Sequence, residues 1–206
     1  MAIEYRGCKK LVYAEVVTDT AEGMTFGEVK PLAPVQQVQR EVSRSTATTY
    51  YDDVAANTTV AEGAEVNNFI IGVPSDEVMG DIEGKYYDPT TKIYSDSPIS
   101  NKYFAVGYIL GEEGDAVDEQ YCWKIKGTFQ VSGTEHNTKN DGTDTTNVTL
   151  AYTSVYPLAQ FEHGGADGKG GASKGVRIKK SAGIATESEF FAKVQTVDDI
   201  YGMANA

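Results

Sequence analysis

The chain has 206 residues, 40% of them hydrophobic and 23% charged, which is enough for one domain with a substantial core and short of two. Thirty acidic residues against eighteen basic ones give a formal net charge of −12, a balance that argues against a surface built to grip nucleic-acid phosphates. No run approaches the roughly 20 consecutive apolar residues that would span a membrane as a helix, so a soluble protein is expected.

In chain order, Met1 to Lys10 carries charges where a secretory signal needs an unbroken apolar stretch, and synthesis in a cytoplasm is expected. Leu11 to Val17 predicts a first strand, followed by a polar, glycine-bearing loop over 18–29. Val29 to Tyr51 is rich in β-branched and polar residues and predicts two strands, the first irregular at its start because of Pro31 and Pro34; Thr58 to Val66 predicts a further weak strand. Ser75 is a good N-cap, with Asp76 and Glu77 in the first turn and Gly80 or Gly84 as the stop of a short helix.

The block from Tyr103 to Val131 carries the strongest pattern. An all-apolar strand (103–110), an acidic turn and an alternating strand (121–131) follow one another as an antiparallel hairpin. The alternation puts Tyr121, Trp123, Ile125, Phe129 and Val131 on a core face, with Lys124, Lys126, Thr128 and Gln130 on a wet one. Residues 132–146 contain no apolar side chain and predict an exposed loop; Asn147 to Tyr156 then alternates, with Val148, Leu150, Tyr152 and Tyr156 sharing a face. The glycine-dense stretch 163–175 predicts a second flexible segment. Thr186 to Glu189 is a capping box, and Phe190, Phe191, Val194 and Val197 give an apolar stripe on a helix running to about Val197. The fold class expected is therefore mainly β (α+β), one domain over 1–206, with one or two flanking short helices and long loops or arms.

Catalytic and metal motifs are scarce. Between Gly164 and Gly168-Lys169 stand three residues where a phosphate loop needs four, and Gly170 replaces the required hydroxyl. Asn137 to Asp144 reads as loop chemistry and not a calcium loop, because Lys139 occupies a ligand position and Val148 stands where the bidentate Glu belongs. His136 and His163 lie in polar loops with no second His or Cys beside them in sequence, and Cys8 and Cys122 are expected as thiols. No cofactor, no metal and no enzymatic activity are expected. Two charged groups stand out as candidates for contact surfaces. Glu112, Glu113, Asp115, Asp118 and Glu119 place five carboxylates in eight residues, which reads as a solvated hairpin tip; the family resemblance that follows makes them a candidate acidic lumen or inter-subunit surface. Lys174, Arg177, Lys179 and Lys180 form a basic segment, either a lysine-protected edge strand or a patch that docks against an acidic neighbour.

The order of these elements, and the phrases Gly72-Val-Pro-Ser-Asp-Glu-Val-Met-Gly80 and Glu119-Gln-Tyr-Cys-Trp-Lys-Ile-Lys-Gly-Thr-Phe129, resemble the major tail proteins of long-tailed, non-contractile bacteriophages, the subunits of the tail tube. The resemblance spans about residues 1 to 200 and carries over no catalytic residue. It implies two packed antiparallel sheets, as a β-sandwich or partial barrel, and hexameric rings stacked into a tube in the virion tail. It also implies tape-measure, tail terminator and initiator proteins as partners, and DNA passing without specific binding. No immunoglobulin-like domain of the kind some such proteins append is expected here. An alternative reading is a β-sandwich module binding carbohydrate or protein, with Tyr86, Tyr87, Tyr94 and Tyr103 as a stacking platform.

Overall fold

The structure is a computed structural model and describes residues 7–51, 54–111, 118–134 and 147–205. The strands are β1 (Cys8–Thr20), β2 (Gly23–Phe26), β3 (Lys30–Pro31), β4 (Val35–Tyr51), β5 (Val54–Gly72), β6 (Tyr86–Asp88), β7 (Ile93–Ser95), β8 (Phe104–Leu110), β9 (Gln120–Thr134), β10 (Asn147–Ser154) and β11 (Gly175–Lys179). Three short helices join them: α1 (Asp76–Glu83), α2 (Glu187–Ala192) and α3 (Val197–Ala204). The protein is mainly β, as its patterning dictates.

Nine strands make one antiparallel sheet in the order β2-β1-β8-β9-β10-β5-β4, with β11 paired to β9 and β3 to β1; β6 and β7 form a separate ribbon. The two β layers are opposite walls of this one sheet. It curls until β1 meets β4, where Cys8 lies against Val38, so the sheet is a partly closed barrel. Its concave side holds Leu11, Tyr13, Phe69, Ile71, Val106, Leu150 and Tyr152, with Ile82 of α1 closing over them. Its convex side is apolar as well: Trp123, Ile125, Tyr121 and Ile109 pack beneath Phe190, Phe191, Val194 and Ile200 of the C-terminal helices. β8 is buried on both faces, which is why it reads as a continuous apolar run.

The alternation in β9 breaks where the sequence shows it unbroken. Val106 pairs with Lys124 and Phe104 with Gly127, so two steps on β8 match three on β9, a β-bulge. Before it, Tyr121, Trp123 and Ile125 face outward; after it, Phe129 and Val131 face the interior. Of the wet face expected of β9, Thr128 and Gln130 are exposed, whereas the two lysines are corrected. Lys124 and Lys126 are only 16% and 13% exposed, paired with Glu65 (2.5 Å) and Asp19 (2.6 Å). Tyr156, expected on the buried face of β10, stands past its end and is exposed.

The 18–29 stretch is mostly a hairpin, not a flexible loop: β1 runs to Thr20, two turn residues follow, and Thr18 and Thr25 meet at 2.7 Å between their hydroxyls. Asp19 anchors it, accepting from Lys126 and from the amides of Leu158 (2.9 Å) and Ala159 (3.1 Å). Residues 163–175 fold back on themselves through reciprocal amide bonds between Phe161 and Gly171, and Gly164 is required there because a Cβ would lie 2.1 Å from the Gly171 carbonyl oxygen. Of the loop expected over 132–146, residues 135–146 lie outside the described residues; β9 runs on to Thr134.

Ser75 and Gly84 cap α1 as the sequence indicates. The C-terminal helix expected to reach Val197 ends at Ala192 instead. Thr196-Val-Asp-Asp199 is a second capping box and starts α3, each box closing its own first turn.

Candidate functional site

The feature that dominates the surface is the β4–β5 hairpin. β5 is covered by β10 only from Glu65 to Gly72; beyond Ser154 the two strands continue alone, Arg44 to Tyr51 against Val54 to Glu62. At a strand rise of about 3.3 Å per residue, that is an arm projecting about 26 Å. It carries no charge from Ser45 to Tyr51 or from Val54 to Ala61, and consists mainly of Thr, Ala, Val and Tyr. Tyr50, Tyr51, Val54 and Val60 are 65%, 64%, 66% and 59% exposed.

A two-stranded ribbon with no packed face is marginal in water, and two long neutral edges invite further strand pairing. Proteins ordinarily guard such edges with lysines, prolines or short strands, none of which this arm uses. Sequence reasoning divided this stretch into two strands plus a weak third. The signal that identifies the arm is its uncharged β-branched length on both sides of Asp52-Asp53, with no apolar alternation to seat it on a core.

The root of the arm is built. Val42 pairs with Glu65 and Arg44 with Glu62, so two residues on β4 match three on β5, a bulge that re-aims the ribbon as it leaves the barrel. Lys174, itself buried, holds this bulge by donating to Glu62 Oε1 and to the Gly63 carbonyl, each at 3.1 Å, and lies 4.5 Å above the Tyr156 ring. Just inside, Glu65 is 2% exposed and accepts from Arg40 (2.9 Å) and Lys124 (2.5 Å). Burial opposes its ionisation, but the two cations outweigh that and hold its carboxyl down at about 2. The chain therefore spends buried charge pairs on fixing where the arm departs.

Of the five acidic candidates the structure describes two, and both meet the turn after β11. Glu112, Glu113 and Asp115 lie outside the described residues. Asp118 receives the Ser181 amide at 3.0 Å and the Ser181 hydroxyl. Glu119 is not a surface group: it is 3% exposed and bridges Lys9 (2.6 Å) and Lys180 (3.0 Å), tying β1 and the turn after β11 to the start of β9. Despite its burial, these contacts keep its pKa below the usual carboxylate value.

The basic group divides as well. Lys174 is buried and serves as a clamp inside the chain, while Lys180 pairs with Glu119 from an exposed position. Arg177 and Lys179 are exposed on β11 and make no ion pair among the described residues. Arg177 lines an open cleft of about 270 Å³ with Arg40, Tyr108 and Lys124.

Tyr87 and Tyr94 pair across the β6–β7 ribbon, Tyr94 donates to Glu83, and Lys126 sits 4.6 Å above Tyr103. Among the described residues, no ring contact links any two of Tyr86, Tyr87, Tyr94 and Tyr103. His163 stacks on Tyr201 at 4.0 Å and meets Asp198 at 3.1 Å, joining the glycine loop to α3. Burial pushes the Cys122 thiol up to about 12, leaving it protonated at neutral pH.

No protein-family model, no curated protein and no solved structure matches this chain. Among the described residues, no helix is long and apolar enough to cross a membrane.

Proposed function

We infer that this chain is a structural subunit that acts by self-assembly, in keeping with its resemblance to tail tube proteins: copies form stacked hexameric rings in a phage tail, and DNA passes through the tube. The observation that carries this reading is the projecting arm, whose two strands carry no charge from Ser45 to Tyr51 or from Val54 to Ala61 and which leaves exposed tyrosines and strand edges that assembly would cover. The charge of −12 per copy supports the same reading. Wherever a share of it faced the tube's interior, it would repel DNA phosphates and prevent adhesion during passage.

Negative-stain electron microscopy across a protein concentration series tests this, comparing the full chain with a variant in which Gly63 follows Ser43 directly. Hollow tubes or six-fold rings from the full chain, and only small particles from the armless one, are expected. Uniform small particles from the full chain at every concentration would count against assembly.

A further inference from the structure

The pairing of β8, β9 and β11 sets three side chains in one row. Tyr108 stands opposite Cys122 on one side and Arg177 opposite Cys122 on the other, so all three point to the concave side of the sheet. Opposed Cβ atoms lie about 5 Å apart, so a short side chain stands between two long ones and leaves a gap above the Cys122 thiol. That gap opens into the cleft of about 270 Å³, which Val38 and Arg40 line from β4 and Leu110 from the end of β8.

Two polar groups of this cleft are without partners in the chain. Tyr108 is 4% exposed, yet its hydroxyl bonds no other group among the described residues, and Arg177 makes no ion pair among them. A hydroxyl so placed bonds either water or a ligand in the cleft. Burial pushes the Tyr108 phenol above its ordinary value despite the Arg177 charge beside it, so at neutral pH it keeps its proton and donates. Arg40 and Lys124 share Glu65, so three cations meet one carboxylate around the cleft, in a chain whose net charge is −12. Glu62, the other carboxylate whose charge reaches Arg40, is held by Lys174. Donors are in excess here, since a guanidinium carries five N–H groups and an ammonium three.

We propose that this cleft binds a small organic carboxylate, held by the Arg177 guanidinium and the Tyr108 hydroxyl, with its carbon body against Val38 and Leu110. A carboxylate suits these donors because a guanidinium takes both of its oxygens in one plane. The apolar side chains beside the donors favour an organic acid over a bare inorganic anion. The volume lies below the range that takes drug-sized ligands, which limits the guest to a few carbons. This binding does not depend on self-assembly.

Isothermal titration calorimetry of the full chain, at constant ionic strength set with sodium chloride, tests this with succinate and butyrate as probes and inorganic phosphate beside them. Saturable binding of one carboxylate probe per chain is expected. Arg177→Gln should weaken it by more than about tenfold and Tyr108→Phe by about tenfold, each removing a hydrogen bond to a charged group. Because the Tyr108 hydroxyl bonds nothing else in the chain, Tyr108→Phe should leave the urea midpoint of the anion-free protein unchanged while removing most of the probe's effect on it. Lys169→Gln, which removes a surface charge outside the cleft, should bind as wild type. Unchanged Trp123 emission certifies that each variant is folded. No saturable binding of either probe would overturn the proposal. So would binding that Lys169→Gln weakens as much as Arg177→Gln, because the anion would then be answering net charge alone. Phosphate bound in preference to both probes would overturn the organic acid. A heat that follows protein concentration and not added probe would place a second copy's acidic side chain in the cleft, which also overturns the free ligand.

Discussion

Replacing Glu65 with Gln removes the one carboxylate that Arg40 and Lys124 share, and the consequence depends on pH in a calculable way. A carboxyl held at about 2 in the folded chain against an ordinary 4.5 contributes about 3.4 kcal/mol at neutral pH, at about 1.36 kcal/mol per tenfold in proton affinity. Arg40 is 54% exposed, so solvent screening lowers this to about 2–3 kcal/mol. The folded-state value is depressed, so the stabilisation is present in full above pH 4.5 and is lost as the pH falls toward 2. Urea unfolding of wild type and Glu65→Gln should therefore differ by about 2–3 kcal/mol at pH 7, and by less than half as much at pH 3. A gap of equal size at both pH values would refute the reasoning, because the loss would then come from packing and not from the charge. The variant should also loosen the arm's root, seen as faster cleavage between Arg44 and Glu62 by a protease at concentrations that leave the core intact.

Three other outcomes follow from the packing. Gly127→Ala would place a Cβ 2.5 Å from both Tyr152 Cζ and the Thr153 carbonyl oxygen at the β9 bulge, and a loss of about 3 kcal/mol in chemical unfolding is expected; a loss under about 0.5 kcal/mol would deny the close approach. Phe191→Ala empties the space over Gly107 and Trp123, so a loss of about 3–5 kcal/mol is expected, together with a red shift of Trp123 emission; unshifted emission would mean the C-terminal helices do not cover the tryptophan. With a thiol reagent at pH 8, Cys8 should react slowly in the native protein and Cys122 only on unfolding, since burial raises both thiols and Cys122 furthest; equal native rates would contradict the buried position of β9.

Much of the fold is legible in the residues themselves. The continuous apolar run of β8, the alternation of β10 and the caps of α1 and α2 are local features, set by side-chain period and by hydroxyl and carboxylate groups satisfying free backbone amides at a helix start. The same local chemistry marks α3 through Thr196 and Asp199, although the apolar stripe continuing to Val197 masks the break before it. The site was less legible. Charge density drew attention to Glu119 and Lys174, yet density along a chain does not say whether a charge meets water or another charge; Glu119 meets Lys9 from the far end of the sequence, and Lys174 meets Glu62.

By its sequence alone this chain determined that it is a mainly β protein with short capped helices, an excess of negative charge and little that resembles catalytic machinery, because periodicity, capping and net charge are properties of neighbouring residues or of simple sums. Only the tertiary structure decided that the sheet curls on itself, that a bulge at Gly127 turns Phe129 and Val131 to the interior, and that β4 and β5 outrun their neighbours as an arm. Those outcomes depend on register and on where one strand ends beside another, and both are settled by contacts between residues distant in the chain.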